Sequence, residues 1–413
     1  MGKDVYELGE LPPVGEVPRQ MHAMLVRPER YGEPKDAIQD EVIDVPELGP
    51  NDVLVAVMAA GVNFNNVWAA RGIPVDVTKS QAKWGEPTDF HIVGSDASGV
   101  VWAVGSDVTN VRVGDEVVVH AGQWNADDPW VVAGKDPGLA GTFRVWGYDS
   151  CWGSMSQFCK VQDHQCLPKA EHLTWEEAAA PTLTGGTAYR MLFGWPPHTV
   201  DEGDVVLVWG GSGGLGSLAV QLVANAGGRP VAVVGSDAKG EYAKTLGAVG
   251  YVNRKNFDHW GVPPAWDSKE WKGWFDGAKA FGKAVWDAVG EKTNPRIVFE
   301  HPGQDTIPTS NFVCDRGGMI VICAGTTGYD TMIDVRYLWF MQKRYQGSHL
   351  FNDEQAAAFN DLIRERKIHT TLGHTYRYDE IPVVHQLMDE GGLPEGNVAC
   401  LVNAAEPGST TLR

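Results

Sequence analysis

Apolar residues fall in two different rhythms along this chain. From Met21 to Gly122 they come in short alternating or continuous runs, MHAMLVRPE, DVLVAVMAAGV, DASGVVWAVG and DEVVVHAG, cut by Gly, Pro and Asp. That spacing predicts short strands joined by turns, hence a mostly β first region. Ahead of it, the segment up to Pro18 reads as an extended tail. The polar stretch GQWNADDPWVVAGKDPGLAGTF predicts a surface loop, and LTWEEAAAPTLTGGTAYRMLF a helix with Thr174 at its N-cap and Glu176 and Glu177 in its first turn.

The rhythm changes at Asp204. DVVLVWG, RPVAVVGS, VGYVN, RIVFEH and GGMIVICAG are buried-strand runs, with helical stretches such as GSLAVQLVANAGG and EYAKTLGA between the first three. Alternating strands and helices predict a parallel doubly wound sheet, an α/β fold. From about Arg344 the character is mixed again, so a β-rich domain (1–194 and 345–413) is interrupted by an inserted α/β domain (195–344). The Trp-rich stretch 259–286 within the insert reads as packing or subunit contact.

The strand DVVLVWG runs straight into Gly210, Gly211, Ser212, Gly213, Gly214, Leu215 and Gly216, which open a helix. Glycines let backbone approach a pyrophosphate, and a helix N-terminus favours its charge; strand, turn, helix and second strand in register predict a dinucleotide site. At the end of the second strand an NAD enzyme usually places an acid to hold the ribose hydroxyls. Here the chain reads Val-Gly-Ser-Asp-Ala-Lys from 234 to 239, so Ser236, Lys239 and Arg254 after the third strand suit the extra phosphate of NADPH; Asp237 lies beyond the usual position.

Length and composition sharpen this only in places. At about 150 residues per domain, 413 residues suit two or three. Of these, 43% are hydrophobic and 21% charged, as in ordinary globular chains. A net charge of −19 disfavours a nucleic-acid partner. No stretch reaches the roughly 18 apolar residues of a membrane span and no signal peptide is recognised, so a cytoplasmic protein without a membrane partner is expected. The six cysteines show no CxxC spacing, so buried reduced thiols are expected rather than disulfides or structural zinc.

The order of a β-domain, GGSGGLG and a return to the β-domain resembles the medium-chain dehydrogenase/reductase superfamily. This resemblance implies a GroES-like catalytic domain carrying an inserted Rossmann domain, in a homodimer or homotetramer. Zinc members carry a catalytic Cys early and a Gly-His-Glu segment later; the corresponding stretches here are Gly61-Val62-Asn63-Phe64-Asn65 and Gly94-Ser95-Asp96. Neither offers zinc ligands, so no metal is expected, and His91 reads as a packed or hydrogen-bonded histidine.

Separate, ordered segments sharpen the match: GVNFNNVWAARG, HIVGSDASGVVWAVG, HLTWEEAA, TAYRMLFG, VFEHPG, CAGTTGY, VRYLWFMQKR and QGSH resemble the crotonyl-CoA carboxylase/reductase family over nearly the whole chain. The resemblance implies NADPH as cofactor, with Thr187, Ala324 and Gly325 as further cofactor contacts. It implies an enoyl-CoA thioester and CO2 as reactants. By resemblance, Asn65, Tyr148, Asp149 and His349 form the CO2 pocket, the acid and the histidine anchoring a water. Two departures stand out: family carboxylases generally carry Glu where Asp149 stands, and Phe64 replaces a more usual Tyr. CoA phosphates need cations, and Arg336, Lys343 and Arg344 are candidates, in a run that could equally be a helix with solvated charges.

Hydride delivered to Cβ of the enoyl-thioester puts charge on the thioester oxygen and Cα, where hydrogen-bond donors help. The enolate then attacks CO2 or takes a proton. Reductive carboxylation and simple enoyl-CoA reduction therefore both stand as readings. Quinone reduction is a lesser one, since quinone-reducing relatives are usually shorter and lack the WGYDS-like and QGSH-like pair. A non-catalytic relative is disfavoured by the intact glycine loop and Asn65.

Overall fold

The computed structural model describes residues 3–412. It divides into two compact units: one reaches Leu183 and adds Leu350–Arg366 and the chain from Thr370 onward; the other holds Thr184–His349 with Lys367–His369. The dividing points fall at 183/184 and 349/350 rather than at the expected 194/195 and 344/345. Strand Arg344–Gly347, not foreseen as an element, pairs with Met319–Ile322 and belongs to the second unit's sheet.

In the first unit the ten-residue strand Asp52–Gly61 is the axis. Nine of its ten residues are buried, because sheet neighbours and packed side chains cover both faces. It pairs antiparallel with Ala97–Val104 on one side. On the other it meets Phe158–Gln162 along its first half and Asn397–Leu401 at its end. The core divides between Val53, Val55, Val57 and Val101 on one face and Leu54, Ala56, Met58 and Trp102 on the other. The opening segment is extended, as expected, but it is pinned: Gln157 Nε2 donates to the Tyr6 carbonyl (3.1 Å) and Trp102 Nε1 to that of Glu16 (2.9 Å).

The single helix expected after Thr174 is two, Trp175–Ala179 and Thr182–Phe193. Pro181 supplies no N–H and its ring excludes a continuous turn. Thr174 caps as expected, in a reciprocal box with Glu177. Where the chain re-enters this unit, Asp353 opens helix Asp353–Arg364. Its Oδ1 lies 2.9 Å from His120 Nε2 and 2.9 Å from His164 Nδ1. The remaining ring nitrogens are engaged too, His120 Nδ1 by the Gly122 amide and His164 Nε2 by Gln162 Oε1. This trio ties the returning segment to two loops.

The second unit is a six-stranded, all-parallel sheet in the order third, second, first, fourth, fifth, sixth. That order places a topological switch point between Val205–Trp209 and Ile297–Glu300, where such sheets bind ligands. The Trp-rich stretch packs as well as protrudes: Phe281 stacks on Trp209 (5.5 Å, 8°) with Trp260 edge-on, while Trp266 is exposed. Among the described residues no helix is long and apolar enough to cross a membrane.

Candidate active site

In the first unit, three asparagines dock helix Phe64–Arg71 onto Gly94-Ser95-Asp96. Asn63 Nδ2 donates to Asp96 Oδ2 (2.8 Å), Asn65 Nδ2 to Ser95 Oγ (2.7 Å), and Asn66 Oδ1 accepts from the Gly94 amide (3.1 Å). The other Asp96 oxygen accepts from the Leu183 amide (2.6 Å), and full burial pushes this carboxyl well up from its ordinary range. By the resemblance above, these two segments stand where metal-dependent relatives carry zinc ligands. Here they are spent on each other. His91 is buried, with its ring nitrogens 3.1 Å from Gln81 Oε1 and 3.1 Å from the Gly147 carbonyl; burial lowers it to about 4, so it is neutral.

Asn65 has one unsatisfied end: its Oδ1 is buried without a partner. Beside it lies the turn that carries Tyr148 and Asp149. Gly147 there has φ +72°, and a Cβ on it would strike the Gly94 carbonyl and come within 3.2 Å of Ser95 Oγ. Only glycine permits that close approach. Asp149 Oδ2 accepts from the Val145 amide (2.8 Å), so the shorter acid turns back onto its own loop. Tyr148 is half-buried against Val145 and Phe351.

In the second unit the glycine loop has the geometry its sequence predicts. Gly210 takes φ +62° with His301 Nε2 against it, and a Cβ on Gly216 would strike the Gly210 carbonyl. Gly213 is the N-cap of helix Gly214–Asn225 without a side-chain cap, so Gly214, Leu215 and Gly216 open the helix with amides free for an anion. Ser212 and Thr187 are buried. Ser236 caps helix Asp237–Thr245 by accepting from the Lys239 amide, and Arg254 Nε lies 3.9 Å from a Cβ placed on Gly235. Asp237 is hydrogen-bonded to Asn253 Nδ2 (3.0 Å). The cradle thus suits a dinucleotide. Ala324 and Gly325 follow the fifth strand at its C-terminal end, where Gly325 Cα would lie 3.1 Å from a Cβ on Gly303.

Known proteins agree with this geometry. The family model for the alcohol dehydrogenase GroES-like domain matches residues 49–171, and that for zinc-binding dehydrogenases matches residues 214–365. The chain is 48% identical to a crotonyl-CoA carboxylase/reductase of Cereibacter sphaeroides, over 99% of this chain and 94% of that one. The chain belongs to the crotonyl-CoA carboxylase/reductase family. Its structure matches crotonyl-CoA carboxylase/reductase AntE in complex with NADP at a TM-score of 0.94 and 52% identity, covering 98% of this chain and 100% of that one. It matches 2-octenoyl-CoA carboxylase reductase CinF in complex with NADP and 2-octenoyl-CoA at 0.88 and 34% identity, covering 96% and 91%.

In this member of the crotonyl-CoA carboxylase/reductase family, the three expected CoA cations have different surroundings. The run Arg336–Arg344 is not one helix: Val335–Trp339 is helical, Gln342 turns at φ +52°, and Arg344–Gly347 is strand. Lys343 is buried, its Nζ donating to the carbonyls of Asn311 and Phe312, and burial lowers its pKa. Its ammonium is thus engaged by the protein's own main chain. Arg344 donates to the carbonyls of Trp195 (3.3 Å) and Pro196 (3.4 Å), bracing that turn. Arg336 is exposed but chelated by Asp334 (Nη2–Oδ2 2.6 Å) over the Trp266 ring (5.2 Å). His349, just beyond the sixth strand, is an exposed residue of the second unit.

Two groups escaped sequence reasoning. Ser95 was visible only as a non-ligand in a zinc position. Glu300, fully buried at the switch point, accepts from Thr306 Oγ1, Ser310 Oγ (3.1 Å) and the Gly303 amide (3.3 Å), and burial pushes it up to about 8. A lone acid ending an apolar strand gave no signal of its burial.

Proposed function

We propose that this protein reduces and carboxylates a short 2-enoyl-CoA of the crotonyl or acrylyl type, with NADPH as cofactor. NADPH supplies, when bound, the hydride that reduces Cβ. The glycine loop would hold its pyrophosphate on the amides of Gly214 to Gly216, and Lys239 with Arg254 its additional phosphate. The reduced thioester is an enolate, and its Cα forms the new bond to the carbon of CO2, whose oxygens take up the charge. Asn65 donates to one CO2 oxygen, while Tyr148, Asp149 and His349 are assigned by resemblance to the same pocket. The observation that carries this reading is the half-buried Asn65 carboxamide, joined through Ser95 to the turn of Tyr148 and Asp149.

A second reading, protonation of the enolate without CO2, draws on Asp149. Its carboxylate is already accepting from Val145, so its hold on a water is weaker than that of a longer acid. The oligomer is a homodimer or homotetramer and the compartment the cytoplasm, readings that rest on the family resemblance. The deciding experiment follows NADPH oxidation with crotonyl-CoA, with and without bicarbonate plus carbonic anhydrase, and weighs the products. Ethylmalonyl-CoA as main product is the expected result. Butyryl-CoA alone, at a rate indifferent to CO2, would establish the second reading instead.

A further inference from the structure

We propose that Ser95 is the positioning residue that aims the Asn65 carboxamide, and so sets how the enolate divides between CO2 and a proton. The inference rests on the carboxylation reading above. Three observations on one spot lead to it. Ser95 is fully buried, and its hydroxyl is 2.7 Å from the Asn65 amide nitrogen. Asn65 Oδ1, at the other end of the same amide, is buried with no partner. Ser95 Oγ also lies 3.2 Å from where a Cβ on Gly147 would stand, at the foot of the Tyr148–Asp149 turn.

A buried acceptor without a partner costs about 1–3 kcal/mol. Turning the carboxamide by half a revolution removes that cost. A hydroxyl both donates and accepts, so Ser95 can give its proton to Asn65 Oδ1 as readily as it accepts from Nδ2. In the turned state Oδ1 is satisfied, and both N–H bonds of Asn65 point away from Ser95, toward a ligand that has only acceptor oxygens. CO2 is such a ligand. With CO2 absent the turned state leaves two N–H bonds unpaired, where the orientation seen here leaves one N–H and Oδ1, so the two lie close in energy. Ser95 therefore serves both orientations, and CO2 selects one of them.

The helix supports this division of labour. Asn63 and Asn66 flank Asn65 and are held by Asp96 and the Gly94 amide, so the backbone at Asn65 is fixed and the carboxamide torsion is what remains to move. Replacing Ser95 with Ala keeps that frame and removes the hydroxyl that can switch role at the amide.

The test is the ratio of carboxylated to protonated thioester, measured by mass over a CO2 series for wild type, Ser95→Ala, Asn65→Ala and the double variant, with melting temperature recorded for each. Ser95→Ala is expected to cut the carboxylated share about ten-fold and raise the apparent KM for CO2, the loss of one hydrogen bond. It should add nothing further in the Asn65→Ala background, because it acts through that side chain. Ser95→Cys, near in size and weaker as a donor, is expected to fall between, and serves if the Ala variant does not fold. An unchanged ratio in Ser95→Ala, or an equal fall in both backgrounds, overturns this proposal while leaving carboxylation intact. Wild type that yields only protonated product overturns carboxylation and this proposal together.

Discussion

At Lys343 an ammonium group sits among apolar side chains and reaches two main-chain carbonyls, those of Asn311 and Phe312 at the end of helix Ile307–Val313. A buried cation is tolerable only when its protons have such partners, and the carbonyls in turn depend on it. Lys343→Met should therefore lower the unfolding free energy by about 2–4 kcal/mol, seen as a lower urea midpoint. The KM for the enoyl-CoA should stay where it was; a raised KM at unchanged stability would return Lys343 to substrate binding. The sequence could not reveal this, because a lysine beside an arginine in an aromatic run reads as solvated charge, and only tertiary packing buries it. Asn65 and the Tyr148–Asp149 turn were legible through matched segments. The bond from Asp149 to Val145 was not, since it depends on a side chain one methylene shorter folding back.

Among the elements, the first strand–turn–helix of the second unit was the most legible, because Gly210, Gly211 and Gly216 answer backbone demands. Those demands are unequal. A Cβ on Gly216 would strike the Gly210 carbonyl, whereas one on Gly213 would lie an ordinary 3.6 Å from the same atom. Gly213 also has an extended backbone, φ −82° and ψ 177°, which any residue adopts. Gly216→Ala is thus expected to weaken NADPH binding by a factor of about 100 or more in a fluorescence titration and to lower the melting temperature. Gly213→Ala should melt within about 2 °C of wild type. Equal losses of stability in the two would refute the backbone account. The strand Arg344–Gly347 was less legible: RYQG carries no apolar run, and its place is dictated by the neighbouring strand Met319–Ile322.

For the molecule as a whole, buried titratable groups set the pH at which the fold is firmest. Burial lowers His91, His259, His301 and His385 to about 4 each, so the unfolded chain takes up their protons first. Their contribution is complete above the ordinary histidine value of about 6.5 and drains away as pH falls toward 4. Glu300, pushed up to about 8, and Asp96, also raised, work in the opposite sense. The fold keeps the Glu300 proton while the unfolded chain releases it, so this carboxyl costs stability as pH rises from about 4.5 to 8, and the raised Asp96 acts in the same direction. Below about 6.5 proton uptake by four histidines in the unfolded chain outweighs the cost at Glu300, and above it that cost prevails, so stability peaks near neutral pH. Urea midpoints should fall on both sides of that pH, and more steeply on the acid side; a midpoint climbing steadily to pH 9 would count against it. The overall architecture was legible because the change from turn-broken strands to strand–helix alternation is written in the apolar rhythm. The positions of these buried acids and histidines were not, since burial depends on partners far away in the chain. One such distant dependence shapes the order of assembly. The axial strand Asp52–Gly61 receives its last neighbour, Asn397–Leu401, from a stretch that follows the second unit in the chain. On a ribosome adding about 5–20 residues per second, the end of that strand waits tens of seconds for its partner, an open apolar edge at Ala59 to Gly61 of the kind that chaperones cover.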